Sequence, residues 1–204
     1  MSKHIHSLLC LGDSYTIGEG VPLFDSFPYQ AVQMLRLKNL HFHAPEIIAK
    51  TGWTTFELAD KILHSAFNPS YDFLTLLIGV NNQYRKLPIN DYESDLEFLL
   101  KKAIHLAGEK PANVIVLSIP DWGKSPFASQ KDPATIAKAI DAFNTCNLKL
   151  AQKMHTQYID ITSEGRKVGH DLSLYTGDEL HPSAKEYSRW ATMLADCLSR
   201  LVKH

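Results

Sequence analysis

The chain has 204 residues, 45% of them hydrophobic and 21% charged, with a formal net charge of −1. That length suits one domain with a substantial core, and the near-neutral balance excludes the basic stripe that a nucleic-acid surface needs. Cys10, Cys146 and Cys197 are odd in number and match no metal or redox spacing, so free thiols in a reducing compartment are expected. No stretch approaches 18 apolar residues, and the first strand begins almost at once. Neither membrane insertion nor a signal peptide is therefore read, and a cytoplasmic location is expected.

Leu8 to Leu11 form an apolar run without alternation, the pattern of a strand buried on both faces in a parallel sheet. It ends abruptly in Gly12-Asp13-Ser14, followed by a loop through Asp25 and a helix from about Pro28 to Lys38, where proline suits the first turn. A second strand is expected over residues 45–50, then a turn at Thr51-Gly52-Trp53. Thr54 with Glu57 makes a capping box, and the helix it opens places Leu58, Ala59, Ile62 and Leu63 on one face.

Residues 72–78 give the strongest strand pattern and run into Gly79-Val80-Asn81-Asn82. Asn90 and Glu93 are expected to cap a helix that Gly108 stops. Residues 113–119 read as a buried strand, and the long loop 120–133, holding Trp122 and Phe127, reads as a lid or binding loop. A helix over Ile136 to Met154 and a short fifth strand over 158–161 come next; residues 162–177 carry little pattern. Asp178-Glu179-Leu180-His181-Pro182 then leads into a final helix with Tyr187, Trp190, Leu194 and Leu198 on one face. Five strands alternating with helices predict a three-layer α/β/α sandwich around a mainly parallel sheet, with residues 1–204 forming one domain.

In a parallel sheet the strand C-termini all face one edge, so Ser14, Gly52, Asn81 and the Asp178/His181 pair converge on one crevice. A serine hydroxyl becomes a useful nucleophile only when a base takes its proton and a third group holds that base in one tautomer. Asp178 and His181, three residues apart, fit on one turn. Pro182 is expected to open the last helix with His181 at its cap, the helix end and Asp178 acting on the imidazole in opposite senses. The developing oxyanion needs fixed donors, for which the Ser14 N–H, the Gly52 N–H and the Asn81 amide are candidates. Gly52 suits close backbone approach because it has no side chain.

Gly12-Asp13-Ser14, Gly52, Gly79-Val80-Asn81 and Asp178-Glu179-Leu180-His181 fall in the order and rough spacing of the four signature blocks of the SGNH (GDSL-type) hydrolases. The chain resembles that family from its first strand to its last helix. The resemblance implies a flavodoxin-like sheet and a serine esterase, lipase or deacetylase without metal or cofactor. The reaction it implies runs through an acyl-enzyme on carboxylic esters of short acyl or acetyl groups, with lipids or sugars among the expected alcohols. By position it makes Ser14 the nucleophile, Gly52 and Asn81 oxyanion donors with Ser14, His181 the base and Asp178 its orienter. Two positions depart from the family pattern. Tyr15 stands where the name-giving leucine would be, and Asn82 where an aspartate is usual. Asn82 is expected to turn back and brace the loop over residues 12–16.

Trp53, Tyr84, Trp122 and Phe127 are candidates to line an acyl or alcohol pocket, with ordinary packing the alternative for each. Asp13 is a competing orienter, though its place beside Ser14 favours bracing its own loop. His4/His6 and His41/His43 have strand spacing, but no carboxylate or cysteine cluster joins them in the sequence, so no metal is expected. The α/β-hydrolase elbow is excluded because Thr16 occupies the place of its second glycine. Acyl transfer to an alcohol would use the same residues, and a non-catalytic flavodoxin-like module remains the alternative of another class. The expected partner is a small ester, and oligomeric state is not read.

Overall fold

A computed structural model describes residues 4–168 and 171–202. The elements are β1 (Leu8–Gly12), α1 (Ser14–Ile17), α2 (Phe27–Leu37), β2 (Glu46–Ala49), α3 (Thr55–Leu63), β3 (Phe73–Leu77) and α4 (Val80–Tyr84), followed by α5 (Ile89–Leu106), β4 (Val114–Leu117), α6 (Pro133–Lys153), β5 (Gln157–Ile159), α7 (Ile161–Lys167) and α8 (Ala184–Leu201). The five strands form one sheet in the order β2-β1-β3-β4-β5, and every pairing is parallel. The predicted architecture is therefore present.

Burial follows that order. Every residue of β1, β3 and β4 is buried, which explains their unbroken apolar runs, whereas β2 and β5 at the two edges are mostly half-buried and carry Glu46 and Gln157. The chain moves one way from β1 to β2 and then steps back across the sheet through β3, β4 and β5. Right-handed crossovers place the helix of the first step on one face and those of the later steps on the other. Accordingly α2 packs against α8, while α3, α5 and α6 lie side by side. The reversal of direction falls between β1 and β3, the switch point where open parallel sheets leave a crevice beyond the strand ends.

Local differences from the sequence reading are informative. Ser14–Ile17 form a helical turn where a loop was expected, because the Asp13 carboxylate accepts the Tyr15 N–H at 3.0 Å and caps it. Asn81 and Asn82 lie in α4 and not at an extended strand end. Pro88 and not Asn90 precedes α5, and no side chain caps it. The last helix starts at Ala184 with Ser183 as N-cap, so Pro182 does not open it and His181 is not its cap. Pro182 instead pairs with Tyr175 in an isolated antiparallel bridge. The region 162–177 begins with α7, a helix too short for its periodicity to stand out. The Thr54–Glu57 capping box is present as read.

The loop after β4 is built from two short 3-10 turns, Trp122–Lys124 and Pro126–Ala128, and is held down from two sides. Arg166 donates to Asp121 at 2.7 Å, to Asp141 at 2.7 Å and to the Ala137 carbonyl, and the Phe127 N–H bonds the Glu179 carbonyl at 3.1 Å. Trp122 and Phe127 are thereby carried to the turn that holds His181.

Candidate active site

The end of β1 is crowded, and the crowding explains Gly12. A Cβ there would lie 2.1 Å from the Thr16 hydroxyl oxygen and 2.5 Å from the Leu77 carbonyl, so no other residue lets β1 and β3 approach while the chain turns into α1. Ser14 follows as the first residue of α1 and is 5% exposed. Its N–H, at the first helical position, has no carbonyl to bond within the helix. Gly52 has φ +83°, a left-handed conformation that a turn after β2 needs. An added Cβ would meet only Arg85, at 3.6 Å. Within the chain itself, glycine is thus required here by backbone conformation and not by crowding.

Asp178 and His181 form a compact turn with Glu179 at φ 63°. One Asp178 oxygen, Oδ1, accepts the Leu180 N–H at 2.9 Å, the His181 N–H at 2.9 Å and the Thr176 hydroxyl at 2.7 Å. The other, Oδ2, lies 2.5 Å from His181 Nδ1. Burial alone would raise this carboxyl, but the hydrogen bonds from the His181 ring, the His181 and Leu180 N–H groups and the Thr176 hydroxyl outweigh it and hold it well below the usual carboxylate range. With Nδ1–H donated to Asp178, a neutral ring has its lone pair on Nε2. The Tyr15 ring lies 5.5 Å from the imidazole, centroid to centroid, and 5.9 Å from Trp190, so the residue in place of the family leucine packs behind the histidine.

Ser14, Gly52, Asn81 and His181 line one cavity of about 200 Å³. Asn81 donates one amide N–H to the Trp53 carbonyl at 3.0 Å, which sets the plane of the amide and leaves its second N–H free for another acceptor. Tyr84, Trp122 and Phe127 also line the cavity, with Tyr84 and Trp122 edge to face at 5.2 Å. Trp122 is oriented by its Nε1–H, which donates to Gln83 at 2.7 Å. Trp53 does not line the cavity: its ring packs against the core and only its carbonyl serves the site. Val80 and Leu180, passed over in the sequence, add apolar wall, and Thr176 supports Asp178 from the region without pattern. No sequence signal marked Thr176, since a hydroxyl two residues before an aspartate is commonplace.

Asn82 does not turn toward residues 12–16. It is 2% exposed, accepts the Thr55 N–H at 3.0 Å and donates to the Thr55 hydroxyl at 2.8 Å, so it braces the start of α3. At an extended strand end residues 81 and 82 would point to opposite sides. On α4 they instead diverge by about 100°, the rotation of one helical residue, and Asn82 meets the neighbouring helix.

Asp13 is fully buried, and its Oδ2 has no hydrogen-bond partner. Burial raises its carboxyl to about 7 from 3.8, against the pull of the Tyr15 N–H. An acid whose folded value lies above its unfolded value binds its proton more tightly in the fold, so stability declines as pH rises from about 4 to 7. Asp13→Asn removes this charge and keeps an acceptor for Tyr15. In urea unfolding, the stability of the variant relative to the unaltered chain is expected to rise by about 3 kcal/mol between pH 5 and pH 8. A difference that stays flat over this range refutes the assignment.

A serine at the switch point of a 2-1-3-4-5 parallel sheet thus lines the same cavity as a histidine bonded to an aspartate. Residues 10–189 match the family described as GDSL-like Lipase/Acylhydrolase, and the chain belongs to that family. Among curated proteins none is significantly similar in sequence. Among solved structures, TesA superposes with a TM-score of 0.76 at 17% identity, over 96% of this chain and 99% of that one. A variant of Axe2, an acetyl xylan esterase from Geobacillus stearothermophilus, gives 0.74 at 17% identity, over 94% of each chain. The psychrotrophic esterase EstA from Pseudoalteromonas sp., inhibited by monoethylphosphonate, gives 0.71 at 14% identity, over 98% of this chain and 100% of that one. At these identities the likeness is one of fold. No described helix is long and apolar enough to cross a membrane.

Proposed function

We propose that the protein is a serine esterase that cleaves short-chain carboxylic esters through an acyl-enzyme. The observation that carries this reading is the meeting of Ser14, Gly52, Asn81 and His181 on one cavity, with His181 Nδ1 bonded to Asp178. His181 Nε2 takes the Ser14 proton as Oγ attacks the ester carbonyl, and the oxyanion receives the Ser14 and Gly52 N–H groups and the second amide N–H of Asn81. Collapse expels the alcohol, protonated by His181; water, activated by the same ring, then releases the acid.

A cavity of about 200 Å³ is small beside the 300–1,000 Å³ of drug-sized sites, which supports an acetyl or other short acyl group. Tyr84 and Trp122 also line a neighbouring groove of about 680 Å³, where a larger alcohol portion has room. The test is a fluorophosphonate probe followed by peptide mapping, with aryl esters of increasing acyl length assayed in parallel. The label is expected on Ser14, with turnover falling beyond short chains. A chain that takes no label and cleaves no ester is not an esterase.

Asn81→Ala is expected to lower kcat by roughly 10²–10³-fold with little change in KM, because the interaction tightens only in the transition state. Asn82→Ala is expected to spare kcat and lower stability by about 1–3 kcal/mol, since it strips hydrogen bonds from buried Thr55. Steady-state kinetics and thermal melts of both variants decide between the two asparagines.

A further inference from the structure

At the opposite edge of the sheet from Ser14, the segment that leads into β1 meets the start of β3. Residues four and six of a strand-like segment point to the same side, which places the His4 and His6 rings together with centroids 4.6 Å apart. The carboxylate that the local sequence lacked arrives from Asp72, 68 residues away, and corrects the reason for which this histidine pair was set aside.

We propose that His4, His6 and Asp72 form a binding site for a divalent transition-metal ion of the zinc class. His4 Nε2 lies 2.8 Å and His6 Nδ1 3.7 Å from the same Asp72 oxygen, and the three donor atoms fall within 4.8 Å of one another. Zinc bonds of about 2.0–2.2 Å in tetrahedral geometry set neighbouring ligand atoms roughly 3.3–3.6 Å apart, so an ion enters with small side-chain adjustments. Among the described residues this is the group of histidine, cysteine and carboxylate side chains with metal-ligand spacing.

Three features go beyond chance proximity. His6 Nδ1 is buried without a hydrogen-bond partner although it faces Asp72 at 3.7 Å, a pairing of donor atoms suited to a cation. His6 is held on both sides of its backbone, its N–H bonding the His41 carbonyl at 2.8 Å and its carbonyl accepting the His43 N–H at 2.9 Å, with Phe42 and Phe73 against its ring. Asp72 is fixed in turn, since its other oxygen accepts the Ser7 N–H at 2.8 Å and the Ser7 hydroxyl at 3.0 Å. Two ligands are therefore preorganised and the third, His4, is exposed and closes over the ion, leaving a fourth position for water. Imidazole with one carboxylate suits zinc, nickel and copper better than calcium or magnesium. The ion would clip the segment before β1 to the start of β3 and lies outside the ester chemistry.

The test uses the full chain, purified without a histidine tag, stripped with EDTA and titrated calorimetrically with zinc chloride. One zinc ion per chain is expected, with a rise of roughly 5–10 °C in the melting temperature at a hundredfold excess over Kd. His4→Gln alters an exposed side chain and is expected to weaken binding at least tenfold while leaving ester turnover unchanged; Asp72→Asn is expected to abolish binding. His181→Gln is expected to bind zinc like the unaltered chain, which separates this site from the catalytic histidine. Absence of saturable binding, or binding undiminished by both His4→Gln and Asp72→Asn, overturns the proposal.

Discussion

Ser14→Ala is expected to lower kcat on an aryl acetate by something on the order of 10⁶-fold, the loss seen when the nucleophile of a cooperating serine triad is removed. The loss is so large because the other groups act through this one atom. Without Oγ, His181 has no proton to take and the acyl-enzyme cannot form, so what remains is the effect of the oxyanion donors on attack by water. The substitution is small and leaves the cap of α1 intact, since the Asp13 carboxylate bonds the Tyr15 N–H and not the serine side chain. A circular dichroism melt close to that of the unaltered chain therefore accompanies the loss. Retention of more than a tenth of the rate with a normal melt removes Ser14 from the mechanism.

Asp178→Asn is expected to lower kcat by about 10⁴-fold, and the reason is a tautomer. Asparagine retains Oδ1 for the Leu180 and His181 N–H groups, so the turn persists. At the place of Oδ2 it presents an amide N–H to His181 Nδ1, which must then accept, and the ring proton moves to Nε2, where the base needs a lone pair. The variant separates the two acids near the site. Asp178 touches the imidazole, whereas Asp13 bonds the Tyr15 backbone. A fully active Asp178→Asn beside an inactive but folded Asp13→Asn would exchange their roles.

Both expectations rest on residues legible in the sequence, and the contrast between what is legible there and what is not has a physical basis. Fully buried strands such as β1, β3 and β4 announce themselves because both faces must be apolar, and long amphipathic helices such as α5, α6 and α8 repeat their pattern over several turns. Once strands and helices alternate, a parallel sheet follows, and with it the shared edge that gathers Ser14, Asn81 and His181. Capping at Thr54 was readable because both of its partners lie within one turn.

The features that escaped depend on atoms distant in the chain or on segments too short to have a period. Elements of one or two turns such as α1, α4 and α7 are set by neighbours and, in α1 and α7, by the Asp13 and Asp160 caps, and not by propensity. The direction of Asn82 was decided by Thr55 on an adjacent helix, and Trp53 left the pocket because its ring found a place against the core. Pro182 joined a bridge to Tyr175 in place of starting a helix. Composition and periodicity by themselves determined the α/β class, the order of its five strands and long helices, and which motif residues share the edge at the strand C-termini, because burial and spacing are properties of local sequence. Tertiary structure alone decided that Asn82 turns to Thr55, that the Trp53 ring stays out of the cavity and that Asp72 joins His4 and His6, because each is a contact between residues that only the folded sheet brings within a few ångströms.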